Sequence, residues 1–120
     1  MIKNNRNVQI EIDGRKFFCP VEVTMSVIGG KWTTAILWYL KGQTLRYGEL
    51  KKLLVNISEK VLINELKNLE KKGLIVRKSY NEVPPRVEYS LSPYGKSVVP
   101  IVDLISKWGE GHVKKFGRFV

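Results

Sequence analysis

Cysteine and histidine are almost missing: the 120 residues hold one of each, Cys19 and His112. A single thiol closes no intramolecular disulfide, and it leaves no set of ligands for a Cys-rich zinc site or an iron–sulfur cluster. One imidazole is a poor supply for a His-rich metal site or a Ser-His-Asp centre. Long apolar runs are absent as well. The longest, Ala35 to Leu40, falls far short of the roughly 20 residues that cross a bilayer. The first twenty residues interleave polar and apolar side chains and do not form the apolar block of a signal peptide. Acidic residues are outnumbered, 11 Asp and Glu against 21 Lys and Arg, for a formal charge of +10. These absences predict a cytoplasmic chain that is not an enzyme, with no cofactor, no metal and no membrane partner. The charge favours an anionic partner, with nucleic acid ahead of an acidic protein.

What is present suffices for one core. Hydrophobic residues make up 43% of the chain, with three Trp, and a chain of this size buries roughly two-thirds of its unfolded surface without disulfides. Residues 1–18 read as an N-terminal arm. Val8, Ile10 and Ile12 alternate before Asp13-Gly14 and Arg15-Lys16-Phe17-Phe18, a strong hairpin signal. A two-residue loop sets Ile10 opposite Phe17 and Glu11 opposite Lys16, an apolar pair and an ion pair.

Residues 19–117 then alternate helices and strands. Pro20 opens a helix with Val21, Met25 and Ile28 on one face, closed by Gly29-Gly30. A second helix from Lys31 to Gly42 is apolar almost all round, as a buried central helix would be. After the extended Thr44-Leu45-Arg46, Glu49, Leu50, Leu53 and Leu54 mark a short third helix with Gly48 as cap. Ser58 caps a fourth that runs to Lys72 and stops at Gly73, with Ile57 stapled on Leu62. Leu74 to Tyr80 and Arg86 to Leu91 read as strands, and Ser92-Pro93 starts a long last helix that Pro100 should kink. Two short helices joined by a tight turn and followed by a β-ribbon make a winged helix-turn-helix, an α+β, mainly helical fold.

In the fourth helix Leu62, Leu66 and Leu69 share a narrow sector flanked by Val61, and Lys60, Asn64, Lys67 and Lys71 lie opposite. That polar stripe is roughly 16 Å long at 1.5 Å per residue, enough to follow a major groove. Lys donates to guanine or phosphate, and Asn pairs bidentately with adenine. The first turn of such a helix enters deepest. Ser58, Lys60, Val61 and Asn64 are therefore the candidates for base contacts, and Lys67 and Lys71 for phosphate. In the ribbon Arg77, Lys78 and Arg86 are candidate contacts to phosphates or the minor groove, with Pro84-Pro85 stiffening the tip beside Arg86. The plainer alternative is a solvated helix and hairpin, since Glu59, Glu65, Glu70 and Glu82 dilute the charge.

The last helix carries Tyr94, Val98, Ile101, Val102, Ile105, Trp108, His112 and Phe116 within about 120° of arc. This stripe is longer than a small core requires. A homodimer joined through Val98, Ile101, Val102, Ile105 and Trp108 would bury it and set two reading helices about one DNA turn apart. His112 is expected to be packed or partly buried. Cys19 stands just before the first helix, where amide donors and the helix dipole favour a thiolate. That placement suits an oxidation sensor, with a small buried apolar residue as the plainer alternative.

The segments CPVEVTMSVIGGKW from Cys19, RYGEL from Arg46, ISEKVLINELKNLEKKGLI from Ile57 and YNEVPPRVEYSLSPYG from Tyr80 resemble HxlR-type transcriptional regulators, which are MarR-related. The resemblance spans Cys19 to about Gly117 and is specific in the GGKW turn and the EVPPRVEYSL wing. It implies a dimeric regulator bound to double-stranded DNA at an inverted repeat, with the first and last helices forming the dimer and the helix after Ser58 in the major groove. Cys19 matches a position that is a thiol sensor in some members, several of which use a second Cys that is absent here. The N-terminal hairpin departs from the pattern. A winged-helix module that binds an acidic protein is the alternative function.

Overall fold

A computed structural model describes residues 9–120, so Val8, the first position of the alternating run, lies outside the described residues. The chain divides into two compact units, 1–30 and 31–120.

In the first unit, strands β1 (Ile10–Ile12) and β2 (Arg15–Phe17) form an antiparallel hairpin. Ile10 faces Phe17, and Glu11 faces Lys16. Asp13 at φ 49° and Gly14 at φ 83° give the turn two left-handed residues, the conformation that suits an Asp-Gly loop to strand twist. The apolar half of the expected pairing leaves Phe17 buried. The expected ion pair does not form: Glu11 and Lys16 are exposed, where solvation removes most of the gain. Helix α1 (Pro20–Ile28) follows with Cys19 as N-cap and Pro20 in its first turn. Glu22 accepts the Phe18 amide at 2.9 Å. Of the expected apolar face only Ile28 is buried, while Val21 and Met25 are exposed.

The second unit is built on α2 (Lys31–Leu40), α3 (Tyr47–Leu53), α4 (Glu59–Lys71), α5 (Val99–Phe116) and an antiparallel sheet. The sheet holds β3 (Leu45–Arg46), β4 (Ile75–Tyr80) and β5 (Arg86–Leu91) in the order β3-β5-β4. Ile36, Leu37 and Leu40 of α2, Leu50 of α3, Leu62, Leu66 and Leu69 of α4, Leu74, Ile75, Tyr89, Leu91 and Val102 compose the core. Helix α2 was expected to be buried all round, yet Trp38 is exposed and its other side chains outside the core are half-buried or exposed. The core lies on one side of it.

Two ends differ from the sequence pattern. Helix α3 starts one residue before Gly48, with Arg46 as N-cap, because the Glu49 carboxylate accepts the Arg46 amide at 2.7 Å and so satisfies an orphan donor. The last helix opens with a separate 3-10 turn over Gly95–Val98, and α5 begins at Val99. Pro100 therefore stands in the first turn of α5, where no N–H is needed, and starts the helix instead of kinking it. The helix continues through Gly109 and Gly111. Ser92 closes the base of the ribbon: its hydroxyl donates to the Gly73 carbonyl at 2.6 Å and accepts the Gly95 amide at 2.8 Å. A Cβ at Gly95 would lie 1.9 Å from the Leu74 carbonyl oxygen, so this crossing admits only glycine.

Candidate nucleic-acid interface

Helices α3 and α4 are joined by Leu54–Ser58, a turn in which Asn56 takes φ 72° and the Ile57 amide donates to the Leu54 carbonyl at 3.1 Å. Asn tolerates this left-handed conformation better than most residues. Lys51 caps the turn from α3, reaching the Ile57 carbonyl at 3.3 Å. Ser58 is the N-cap of α4 and accepts the Val61 amide at 3.1 Å. Ile57 and Leu62 are both buried, as the staple requires.

The seat of α4 is apolar: Leu62, Leu66 and Leu69 are each no more than 2% exposed. The Thr33 hydroxyl of α2 donates to Glu65 and fixes the flank on that side. Ser58, Lys60, Val61, Asn64, Lys67 and Lys71 are all exposed. Among the described residues none of these lysines is in an ion pair. The outward face of α4 thus offers unneutralised ammonium groups, an amide and a hydroxyl. On its other flank, a cleft of about 460 Å³ between α4 and the sheet is lined by Ile63, Leu66, Lys67, Glu70, Arg77 and Tyr89. The exposed Arg77 and Lys67 meet there.

Strands β4 and β5 form the wing, paired from Ile75 with Leu91 to Tyr80 with Arg86. Arg86 is turned inward. One guanidinium nitrogen donates to Glu82 at 2.9 Å and the other terminal nitrogen lies 3.3 Å from Glu88. Its guanidinium carbon sits 3.7 Å from the centre of the Tyr80 ring, and the Tyr80 hydroxyl donates to Glu88 at 3.1 Å. The Nε of Arg86 is buried without a partner. The tip, expected to run extended through Pro84-Pro85, bends at Val83 and Pro84 across a cis peptide bond, and Val83 is fully exposed. Tyr80 and Glu88 escaped the sequence reading. The hairpin register would have found them, because Tyr80 pairs with Arg86 and Glu88 shares its face two residues on.

Tyr47, the first residue of α3, was also missed. Its hydroxyl is buried with no partner. Burial, and then the Glu59 carboxylate and Tyr89, push its pKa above the usual tyrosine value.

On α5 the expected dimer residues separate. Ile101, Ile105 and Trp108 are exposed, 71% for Trp108, and Val98 is half-buried. Val102 is 2% exposed, packed into the chain's own core, which removes it from any intermolecular surface. Leu104, two positions on and 66% exposed, was not anticipated. His112 was expected to be packed; it is exposed, stacked on Trp108 with ring centres 5.1 Å apart and tilted against Phe116 at 4.8 Å. Cys19 is a half-exposed free thiol. Among the described residues no cluster of His, Cys, Asp and Glu could hold a metal ion, and no helix is long and apolar enough to cross a membrane.

The model of the HxlR-like helix-turn-helix family matches residues 27–116. The chain is 44% identical over 104 residues to the HTH-type transcriptional regulator YtcD of Bacillus subtilis (strain 168), covering 87% of this chain and 82% of that one. It superposes on the redox regulator HypR in its oxidized form with a TM-score of 0.76 at 37% identity, covering 85% of this chain and all of that one. A transcriptional regulator of the MarR family from Porphyromonas gingivalis W83 gives 0.74 at 50% identity, with 84% and 95% covered.

Proposed function

The chain belongs to the HxlR-like helix-turn-helix family of transcriptional regulators, and from that premise we propose that it binds double-stranded DNA as a homodimer on an inverted repeat, with α4 in the major groove. The observation that carries this reading is the outer stripe of α4. Lys60, Asn64, Lys67 and Lys71 stand exposed and unpaired on a helix whose opposite side is anchored by three buried leucines. An unpaired ammonium gains from a phosphate what a paired one has already gained from a carboxylate. Ser58, Lys60, Val61 and Asn64 contact bases, and Lys67, Lys71 and Arg77 contact phosphates.

The exposed Ile101, Leu104, Ile105 and Trp108 support the dimer, because apolar side chains on one helix face favour burial against a copy. The signal in this reading is an oxidant or electrophile acting on Cys19, in keeping with the relative named as a redox regulator and with a thiol half-exposed at a helix N-cap.

Selection of bound sequences from a random duplex pool, with reduced and diamide-treated protein, tests the reading. The expected outcome is an enriched inverted repeat bound at nanomolar affinity, with affinity falling steeply as salt rises. Binding that is equal for every duplex at every salt concentration overturns it, and no retardation of any duplex returns the acidic-protein alternative. Trp108→Glu is expected to yield a monomer by light scattering. Cys19→Ser is expected to abolish the response to diamide while leaving DNA binding intact.

A further inference from the structure

The three cations of the wing are not equivalent, and the one that its position next to the tip most strongly recommends as a DNA contact is the one least free to make it. Resting on the DNA-binding reading above, we infer that Arg86 is a positioning residue: it clamps the wing into the shape that meets DNA and does not itself touch the duplex.

Arg86 opens β5 and pairs with Tyr80, the last residue of β4, so the two stand on either side of the loop 81–85. Its guanidinium covers the Tyr80 ring at 3.7 Å, reaches Glu82 inside the loop at 2.9 Å and Glu88 along its own strand at 3.3 Å. Tyr80 closes the circuit by donating to Glu88 at 3.1 Å. One planar fork therefore ties together the last residue before the loop, a residue within it and the strand after it. A phosphate that approached would have to displace a carboxylate already in place, and two carboxylates outnumber the one cation they hold. The side chain is only 25% exposed. Lysine carries the charge but lacks the planar fork that bridges two acceptors while stacked on a ring.

A contact and a clamp respond in opposite ways when the partners of Arg86 are removed. Fluorescence anisotropy is measured on a labelled duplex selected by the native chain, across a salt series, for the full chain and four variants. Tyr80→Leu changes no charge and removes both the ring and the hydroxyl. The clamp requires it to weaken binding by about fivefold, the scale of one hydrogen bond lost, with an unchanged slope of affinity against salt. Tyr80→Phe keeps the ring and stays near the native affinity. Arg86→Met and Arg86→Lys weaken binding alike, and the slope for Arg86→Met changes by less than half of the roughly 0.9 that one lost phosphate contact would remove. Native or tighter binding by Tyr80→Leu overturns the clamp. So does a slope reduced by about 0.9 in Arg86→Met, or native affinity in Arg86→Lys. Should Tyr80→Leu fail to fold by circular dichroism, the two Arg86 variants decide alone. A native chain that binds no duplex defeats the DNA reading and this inference together. Native binding with any of the other overturning results defeats the clamp only.

Discussion

Helix α4 and the wing both carry cations near the surface proposed to meet DNA, but they treat them differently. Along α4, Lys60, Lys67 and Lys71 stand in no ion pair among the described residues, and Glu65, which diluted the charge in the sequence, is taken up by Thr33 on the flank. In the wing, Arg86 is neutralised twice over by Glu82 and Glu88. The difference is one of periodicity. At 100° per residue the acids of α4 turn away from the lysine stripe, whereas a hairpin brings Glu82 and Glu88 onto Arg86 through a short loop and a two-residue repeat. Net charge is thus a poor guide to where DNA is held, because a cation counts for binding only where the fold leaves it without a partner.

The largest test of this contrast removes the seat from under the free cations. Leu66→Ala is expected to cost about 2–5 kcal/mol, from lost burial and the cavity left behind; urea unfolding measures it, and DNA binding should fall with the folded fraction. Next comes base reading. Asn64→Ala is expected to lose about 1–3 kcal/mol on the selected sequence and to relax the preference at one base pair, and competition between single-base variants of the duplex reads that out. A smaller and differently shaped effect is expected for Lys71→Ala, which should weaken every duplex alike and lower the salt slope by about 0.9. That makes it the positive control against which Arg86→Met is read. Should both shift the slope equally, the contrast between the two regions disappears.

The smallest effect concerns Tyr47, behind the first turn of α4. Its pKa is raised in the folded chain, first by burial and then by Glu59 and Tyr89. The folded state therefore holds the phenol proton after the unfolded chain has released it. The stability associated with Tyr47 is complete below the ordinary tyrosine pKa near 10 and is lost as pH rises from there through the folded value. Thermal melts above about pH 10 should show a decline that Tyr47→Phe reduces, with little change at neutral pH, where the buried hydroxyl has no partner to lose.

Much of the fold was legible. The hairpin register, the cap at Ser58, the leucine seat of α4 and the bounds of β5 follow from local signals: an Asp-Gly turn, a hydroxyl before an apolar run, a helical period and a two-residue alternation. The misreadings share one cause. Pro100 looks like a kink until the 3-10 turn puts it at the start of α5. Val102 and Trp108 look alike on the stripe of the last helix until the core takes one and leaves the other exposed. Arg86 looks free until its neighbours across the hairpin are seen.

The sequence by itself determined the order of the elements, the reading helix and its polar stripe, since periodicity and capping act over a few residues and need no distant partner. Only the tertiary structure decided which apolar residues of α5 remain outside the core and which cations remain unpaired. Those outcomes depend on side chains brought together across strands and between helices, where a contact of 3 Å separates a neutralised charge from one still available for a phosphate.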